Sequence, residues 1–231
     1  DGINGALKVL NGACAETTQL SIRYGTNTGD MLIQPQLKNS ELSIPSGQKH
    51  YSEKLKGKIF CIDSPSFFQV NTRQAEKIVD VITGMLSPNG TELLVDLYGG
   101  VGTFAILLAP WVRRVVGIEE SLPAIQNARK NSEGNPKVEF VQGKAEVVMA
   151  SLEEVPDFVI LDPPRKGCSE KVLDALVQLA PKKIIYVSCD PNTMARDLKI
   201  LCGGPFEIAA IQPVDLFPQT HHLECIVSLE F

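Results

Sequence analysis

Leu94-Val95-Asp96-Leu97-Tyr98-Gly99-Gly100-Val101-Gly102-Thr103 is the stretch that decides the fold. Its apolar start reads as a short buried strand over 92–97, its glycines as a tight turn, and the apolar run 104–108 as a helix. Glycines at such a turn let the backbone approach a ligand closely, because no Cβ stands in the way. The turn alone is weak evidence, since a strand-to-helix turn with no ligand reads the same way. Outward from it, the next apolar run, Arg114–Glu119, ends in Gly117-Ile118-Glu119 about twenty residues on. Glu119 thus stands at the carboxyl end of the second strand, where an acid grips the two hydroxyls of a ribose in doubly wound folds. Glu120 is the lesser candidate, and a solvated surface acid is the plain alternative for both.

The pattern then repeats. Helices over 121–131, 144–152, Glu170–Leu179 and after Pro191 alternate with strands over 138–141, Phe158–Leu161 and Lys183–Ser188. Ser121 is placed to cap the first of these helices. Two extended pieces, 207–213 and 223–230, close the chain. Such alternation implies a mostly parallel sheet covered on both faces, a doubly wound α/β fold, with the last strands antiparallel. Upstream, Asn71 and Gln74 resemble a capping box opening a helix with Ala75, Ile78, Val79, Ile82 and Leu86 at helical spacing. The first sixty or so residues differ in character. They are rich in Gly, Asn, Thr and Ser, with short apolar pieces at 20–22 and 31–33 around a turn-like segment, 24–30. They read as a small β-rich region of hairpins, so the chain divides into 1–65 and 66–231.

With 231 residues, 44% of them hydrophobic and 21% charged, the chain can build a packed core. No apolar run approaches the ~20 residues of a membrane span, and no signal-peptide pattern is present. Because it begins at Asp1 without a Met, the chain is expected to be a fragment of something longer. Cys14, Cys61, Cys168, Cys189, Cys202 and Cys225 are scattered without a C-x-x-C pair. Neither a zinc site nor a disulfide framework is expected, and the reducing cytoplasm is the expected compartment. Cys61 and Cys202 read as inert core residues. A net charge of −5 argues against a general nucleic-acid binder. An RNA substrate would need a local basic patch or a further domain for its phosphates.

Three segments carry chemistry. The glycine turn reads G-G-x-G rather than the G-x-G-x-x-G of a dinucleotide dehydrogenase, and with Asp96 before it looks like that of a class I methyltransferase. Asp162-Pro163-Pro164-Arg165-Lys166-Gly167, after the fourth strand, is similar to the acidic-Pro-Pro turn of methyltransferases that act on planar bases. Methylation of an amino group would want an aromatic residue after the prolines to stack the base; Arg165 stands there instead. Carbon 5 of a pyrimidine needs covalent activation, by a thiolate adding to carbon 6, and a base to remove its proton. Cys189, in Ser188-Cys189-Asp190-Pro191-Asn192, lies at a strand end just before a helix whose amino terminus is expected to favour the thiolate. Glu224, in His221-His222-Leu223-Glu224, is the candidate base, with a plain strand-edge acid as the alternative. His221, His222 and Glu224 can also be read as metal ligands, but with only His50 besides them no metal is expected.

Together with Phe67-Phe68-Gln69-Val70-Asn71, these motifs resemble, in order from about Ile59 to the end, the RNA 5-methyluridine methyltransferase family. That family includes the tRNA and 23S ribosomal RNA uracil-5-methyltransferases. The resemblance implies a class I S-adenosylmethionine-dependent methyltransferase domain, Rossmann-like, behind a partial β-rich central domain. It implies Cys189 as nucleophile and Glu224 as proton-abstracting base. It implies Gln69, Tyr98, Gly100, Thr103, Glu119 and Asp162 as cofactor-contacting positions, with a further contact near Lys144. Gln69 and Asp162 are also implied to orient the uracil, and Thr103 stands where the family often has Asn. The expected cofactor is S-adenosylmethionine and the expected partner a tRNA or ribosomal RNA, with no membrane and a monomeric chain. The family's amino-terminal RNA-binding β-barrel and the cysteine set of its iron–sulfur cluster are missing, so no cluster is expected. RNA cytosine carbon 5 methylation is the second reading; it employs another cysteine near the proline turn, and Cys168 lies past Gly167, out of place for it. A module that binds cofactor and RNA without turnover is the third.

Overall fold

A computed structural model of the chain describes residues 2–10, 17–39 and 42–231, so Cys14 lies outside the described residues. Two compact units result, Asp1–Phe68 and Gln69–Phe231.

The first unit opens on a helix, α1 (Gly2–Leu10), followed by the antiparallel pair β1 (Ser21–Tyr24) and β2 (Met31–Gln34). A second antiparallel pair, β3 (His50–Leu55) and β4 (Lys58–Asp63), completes it. The buried carboxylate of Glu53 accepts hydrogen bonds from Thr26 N (2.7 Å) and Asn27 N (3.0 Å), tying the β1–β2 turn to β3. The hairpins match the reading of this region, but α1 departs from it. Ala6 and Leu10 bury one face against Ile33. That i, i+4 spacing is helical, although the Gly- and Asn-rich composition around it points to turns.

The second unit begins with α2 (Thr72–Leu86). Asn71 Oδ1 accepts from Gln74 N at 3.3 Å, as the capping pattern predicts, and Ala75, Ile78, Val79, Ile82 and Leu86 are buried. Then follow β5 (Leu93–Leu97), α3 (Thr103–Leu108), β6 (Arg114–Glu119), α4 (Leu122–Asn131), β7 (Val138–Gln142) and α5 (Ala145–Met149). The chain continues through β8 (Phe158–Leu161), α6 (Glu170–Leu179), β9 (Lys183–Ser188), α7 (Pro191–Leu201), β10 (Glu207–Val214) and β11 (Glu224–Glu230). They form one seven-stranded sheet in the order β10-β11-β9-β8-β5-β6-β7, with β5, β6, β7, β8 and β9 parallel. This is the doubly wound α/β architecture of class I methyltransferases. The chain leaves β5 toward β6 on one side and resumes at β8 on the other, so the carboxyl ends of β5 and β8 flank the switch point where such sheets bind ligands.

Three local expectations are corrected. Of the last two strands only β11 opposes the sheet: it inserts between β9 and β10, antiparallel to both, so β10 runs with the others. Ser121 occupies the cap position of α4, but its hydroxyl makes no capping bond. Its backbone N–H is drawn instead to Glu119 Oε1, at 2.7 Å. Cys61 is only half-buried and Cys202 is exposed, because Cys202 falls in the turn just past Leu201, the last buried residue of α7.

Gly117 shows why the second strand carries a glycine. A Cβ there would overlap the ring of Phe140 from β7, which also lies 2.6 Å from where a Cβ on Gly102 would stand. Phe140 is thus packed against both the nucleotide-type turn and the neighbouring strand. Gly117→Ala is expected to destabilise the unit by about 1–3 kcal/mol through overpacking, read as a lower denaturant midpoint at unchanged slope.

Candidate active site

The turn after β5 is built by backbone geometry that most side chains resist. Tyr98 (φ 63°), Gly100 (φ 54°) and Gly102 (φ 89°) all lie in the left-handed region, and for Tyr98 this is strain of the kind that accumulates at functional sites. Glu119 holds the turn from the next strand: its Oε2 accepts from Gly100 N at 2.9 Å while its Oε1 takes Ser121 N. Asn131 Nδ2 donates to Val101 O at 3.1 Å from behind. Thr103 is the first residue of α3 and is partly exposed at the turn. Gln69 starts the unit just ahead of α2, and Lys144 occupies the cap position of α5 without a side-chain capping bond. Tyr98 packs against the core beneath the sheet's carboxyl end, and burial, then the neighbouring Cys168, raises the pKa of its phenol.

Carboxyl groups dominate the electrostatics here. Asp96, fully buried at the end of β5, accepts from Ala105 N at 2.9 Å through Oδ2, while its Oδ1 has no partner. Burial, with Asp162 and Glu119 nearby, pushes its pKa up to about 8. Asp162 is partly exposed as a residue, but its carboxyl is withdrawn from water, and that desolvation raises its pKa to about 7. Glu224 is 3% exposed; burial first, then Asp162, raises its pKa to about 8. A bound cation would draw these protons off and be held by the carboxylates that result, whereas an anionic pyrophosphate would gain nothing from them. The unpartnered Asp96 Oδ1 and the acid at the end of β6 suit a ribose-bearing, positively charged cofactor.

Cys189 and Glu224 meet because of how β11 enters the sheet. Ser188 on β9 pairs with Cys225 on β11, so one step further along the antiparallel register Cys189 comes opposite Glu224. The two share a coulombic interaction that raises the thiol's pKa, second to desolvation. The net shift is thus upward, opposite to the lowering expected from the adjacent helix amino terminus. Asp190 Oδ1 takes the free N–H groups of α7, Asn192 N at 2.9 Å and Thr193 N at 3.3 Å, and so spends the dipole on its own charge. The group that favours a thiolate is Arg165, whose guanidinium charge near Cys189 opposes the upward shift.

Arg165 is fixed by a buried network that sequence reasoning did not anticipate. Asp197, 0% exposed in α7, accepts from Tyr186 Oη (2.6 Å) and Cys168 N (2.8 Å) through Oδ2, and from Arg196 Nη2 (2.6 Å) through Oδ1. Arg196 also donates to Lys166 O at 2.9 Å, and Thr193 Oγ1 to Arg165 O at 3.0 Å. The proline turn is thereby pinned to the helix that follows Cys189. A Cβ on Gly167 would stand 2.6 Å from Asp197 Oδ2, which is why the turn ends in glycine. The available signal was Asp197 itself, an acid at helical spacing from Met194 and Leu201 on the buried face of α7.

Cys168 is buried in this network and its thiol is pushed up to about 12, so it is no second nucleophile. His221, His222 and Glu224 do not form a metal-ligand group among the described residues. The group that does is His50, Cys61 and Asp63, on one face of the β3–β4 hairpin, with ligand atoms within 4.8 Å of one another.

Comparison with known proteins gives the same direction. The chain is 44% identical over 192 residues to an uncharacterized RNA methyltransferase of Thermosynechococcus vestitus, covering 82% of this chain and 43% of the relative. It is 37% identical over 231 residues to one of Gloeobacter violaceus, covering 99% of this chain and 49% of the relative. It thus spans less than half the length of these relatives. Among solved structures, the Pyrococcus abyssi tRNA (uracil-54, C5)-methyltransferase in complex with S-adenosyl-L-homocysteine superposes with a TM-score of 0.74 at 31% identity. That superposition covers 91% of this chain and 59% of the other. M. jannaschii TYW2, solved in complex with AdoMet, shares the fold alone, with a TM-score of 0.60 at 17% identity over 92% of this chain and 99% of the other. The sequence model of the tRNA (uracil-5-)-methyltransferase family matches residues 54–231, and the chain belongs to that family.

Proposed function

We propose that this chain transfers a methyl group from S-adenosylmethionine to carbon 5 of a uridine in RNA, in the cytoplasm. The observation that carries the reading is the opposition of Cys189 and Glu224 at the end of the β9–β11 pair, with the Arg165 charge favouring the thiolate. S-adenosylmethionine, when bound, supplies an electrophilic methyl group on a positively charged sulfur. The carboxylates of Asp96, Glu119 and Asp162 would hold it, and the acidity of that ground favours its cation.

Cys189, as a thiolate held by Arg165, adds to carbon 6 of the uracil and leaves the charge on the enolate. Carbon 5 then takes the methyl group. Glu224 removes the carbon 5 proton, the electron pair re-forms the 5,6 double bond, and the carbon–sulfur bond breaks to return the Cys189 thiolate. Glu224 passes its proton to solvent, so the net change is one methyl gained and one proton lost by the uridine. A carboxylate whose pKa is raised to about 8 is a stronger base than an ordinary one, which suits a carbon acid. Cytosine chemistry with a second cysteine gains no support from the buried Cys168.

The test is an RNA carrying 5-fluorouridine, incubated with the chain and S-adenosylmethionine and read by intact mass under denaturing conditions. Fluorine cannot leave as a cation, so a protein–methyl–RNA adduct is expected; cofactor binding with no adduct would count against the mechanism. For the cofactor, Glu119→Gln is expected to weaken S-adenosylhomocysteine binding about 10–100-fold, the worth of a charge-assisted bond of roughly 1.5–3 kcal/mol. Unchanged affinity by calorimetry would remove Glu119 from the site.

A further inference from the structure

Next to the Cys189–Glu224 pair lies a set of rings that the proposed chemistry does not use. Phe217 and His222 meet edge-on with centroids 6.1 Å apart at 73°, and His221 lies 4.2 Å from His222 at 40°. Arg165 Nη2 approaches His222 Nδ1 at 3.1 Å, so the guanidinium that serves Cys189 also touches the ring cluster. Rings packed for stability are normally covered; here His221 and Arg165 are exposed and Phe217 and His222 only half-buried. The turn that presents them is preset. Thr220 Oγ1 donates to Phe217 O at 2.8 Å and accepts from His222 N at 3.2 Å, with Gln219 at φ 66° between them.

From this juxtaposition we infer that Phe217, His222 and Arg165 form a stacking platform for an unpaired nucleobase, the immediate strand neighbour of the uridine that Cys189 attacks. The inference rests on the uridine reading above. To reach carbon 6, the target base must leave its stack, and its neighbour then loses a stacking partner. Aromatic faces and an arginine plane beside the catalytic pair restore that contact, which is how single-stranded RNA is held. A base fits better than a phosphate. Burial, His221 and Arg165 all lower the pKa of His222, so its ring is neutral at physiological pH and offers a face rather than a charge.

The experiment uses the chain as it stands, with single-stranded RNA oligomers carrying one 5-fluorouridine. One oligomer is intact, and two others have an abasic residue on the 5′ or the 3′ side of it. Affinity is read by fluorescence anisotropy and adduct formation by intact mass. The native chain is expected to bind one abasic oligomer about tenfold more weakly than the intact RNA, within the range of one lost stack. Phe217→Ala and His222→Ala should bind intact RNA that weakly and lose nothing more on the abasic oligomer, whereas His222→Phe should keep the discrimination. Equal signals from the native chain on all three RNAs, including none, overturn the platform, as do losses that simply add. Adduct formation that ignores the neighbouring base leaves the uridine reading intact and removes the platform. Discrimination without any adduct does the reverse.

Discussion

Cys189→Ala is expected to abolish methyl transfer, with a loss on the order of 10⁵–10⁶-fold, the scale seen when a covalent nucleophile is removed. The size follows from the chemistry: without a thiolate on carbon 6, carbon 5 of uracil carries no enolate and has nothing with which to take a methyl group. Cofactor binding should survive, because Cys189 lies past β9, whereas Glu119, the proposed ribose acid, ends β6 and the glycine turn follows β5. The measurement is a single-turnover assay with labelled cofactor, run beside calorimetric titration of S-adenosylhomocysteine. A variant that binds cofactor normally and retains more than a trace of turnover would rule out the covalent route. Cys168→Ala is the control. Its thiol is buried and raised to about 12, so the variant should lose a little stability through the missing contact with Tyr186 Oη and keep its rate per folded molecule.

What the sequence disclosed and what it hid divide along a physical line. Local signals were enough for the parallel core: apolar runs of strand length, each followed by a helical period, place β5, β6, β8 and β9 and their carboxyl-terminal loops within a residue or so. Because ligands gather at those ends, position points to the glycine turn, Glu119 and Cys189 as candidates, while Asp162 is read from the resemblance of its proline turn. Long-range terms could not be read that way. The insertion of β11 between β9 and β10 is a matter of pairing, and it is this insertion that brings Glu224 to Cys189. The upward direction of the Cys189 shift comes from burial and from Glu224, and burial cannot be read from the motif. Asp190 looked like part of the motif, yet its carboxylate consumes the N–H groups that would have favoured the thiolate. Arg165 was visible only as a missing aromatic residue; the groups its side chain meets, Cys189 and His222, come from two other segments. The helix α1 was hidden by composition, since its buried Ala6 and Leu10 sit among glycines and asparagines.

Glu224→Gln is expected to stall the reaction after methyl transfer rather than before it. Cys189 can still add to carbon 6 and carbon 5 can still be methylated, but the carbon 5 proton has no acceptor and the carbon–sulfur bond cannot break. An adduct with ordinary uridine RNA should therefore accumulate, while product release falls about 10²–10⁴-fold, the contribution of a positioned base. Intact mass with unmodified RNA reads it directly. A variant that turns over freely, or that forms no adduct while still binding RNA, would assign the proton transfer elsewhere. The same carboxyl sets a pH dependence. With a pKa of about 8 it is mostly neutral at pH 7, so the native rate should climb with pH and level off above about 8. The sign for stability is opposite. The folded pKa lies above the ordinary carboxylate value of 4.5, so the folded state binds this proton more tightly than the unfolded chain does. Its contribution is full below about 4.5 and is lost as pH rises through about 8. Glutamine cannot ionise and escapes that loss, so Glu224→Gln should melt a few degrees higher than the native chain at pH 9, with the difference narrowing toward pH 4. If Glu224 is the base, weakening the fold in the ionisation state it works in is the trade expected of a buried group kept for its chemistry. Equal melting temperatures across that range would mean that Glu224 is far better solvated than its place between Cys189 and Asp162 implies.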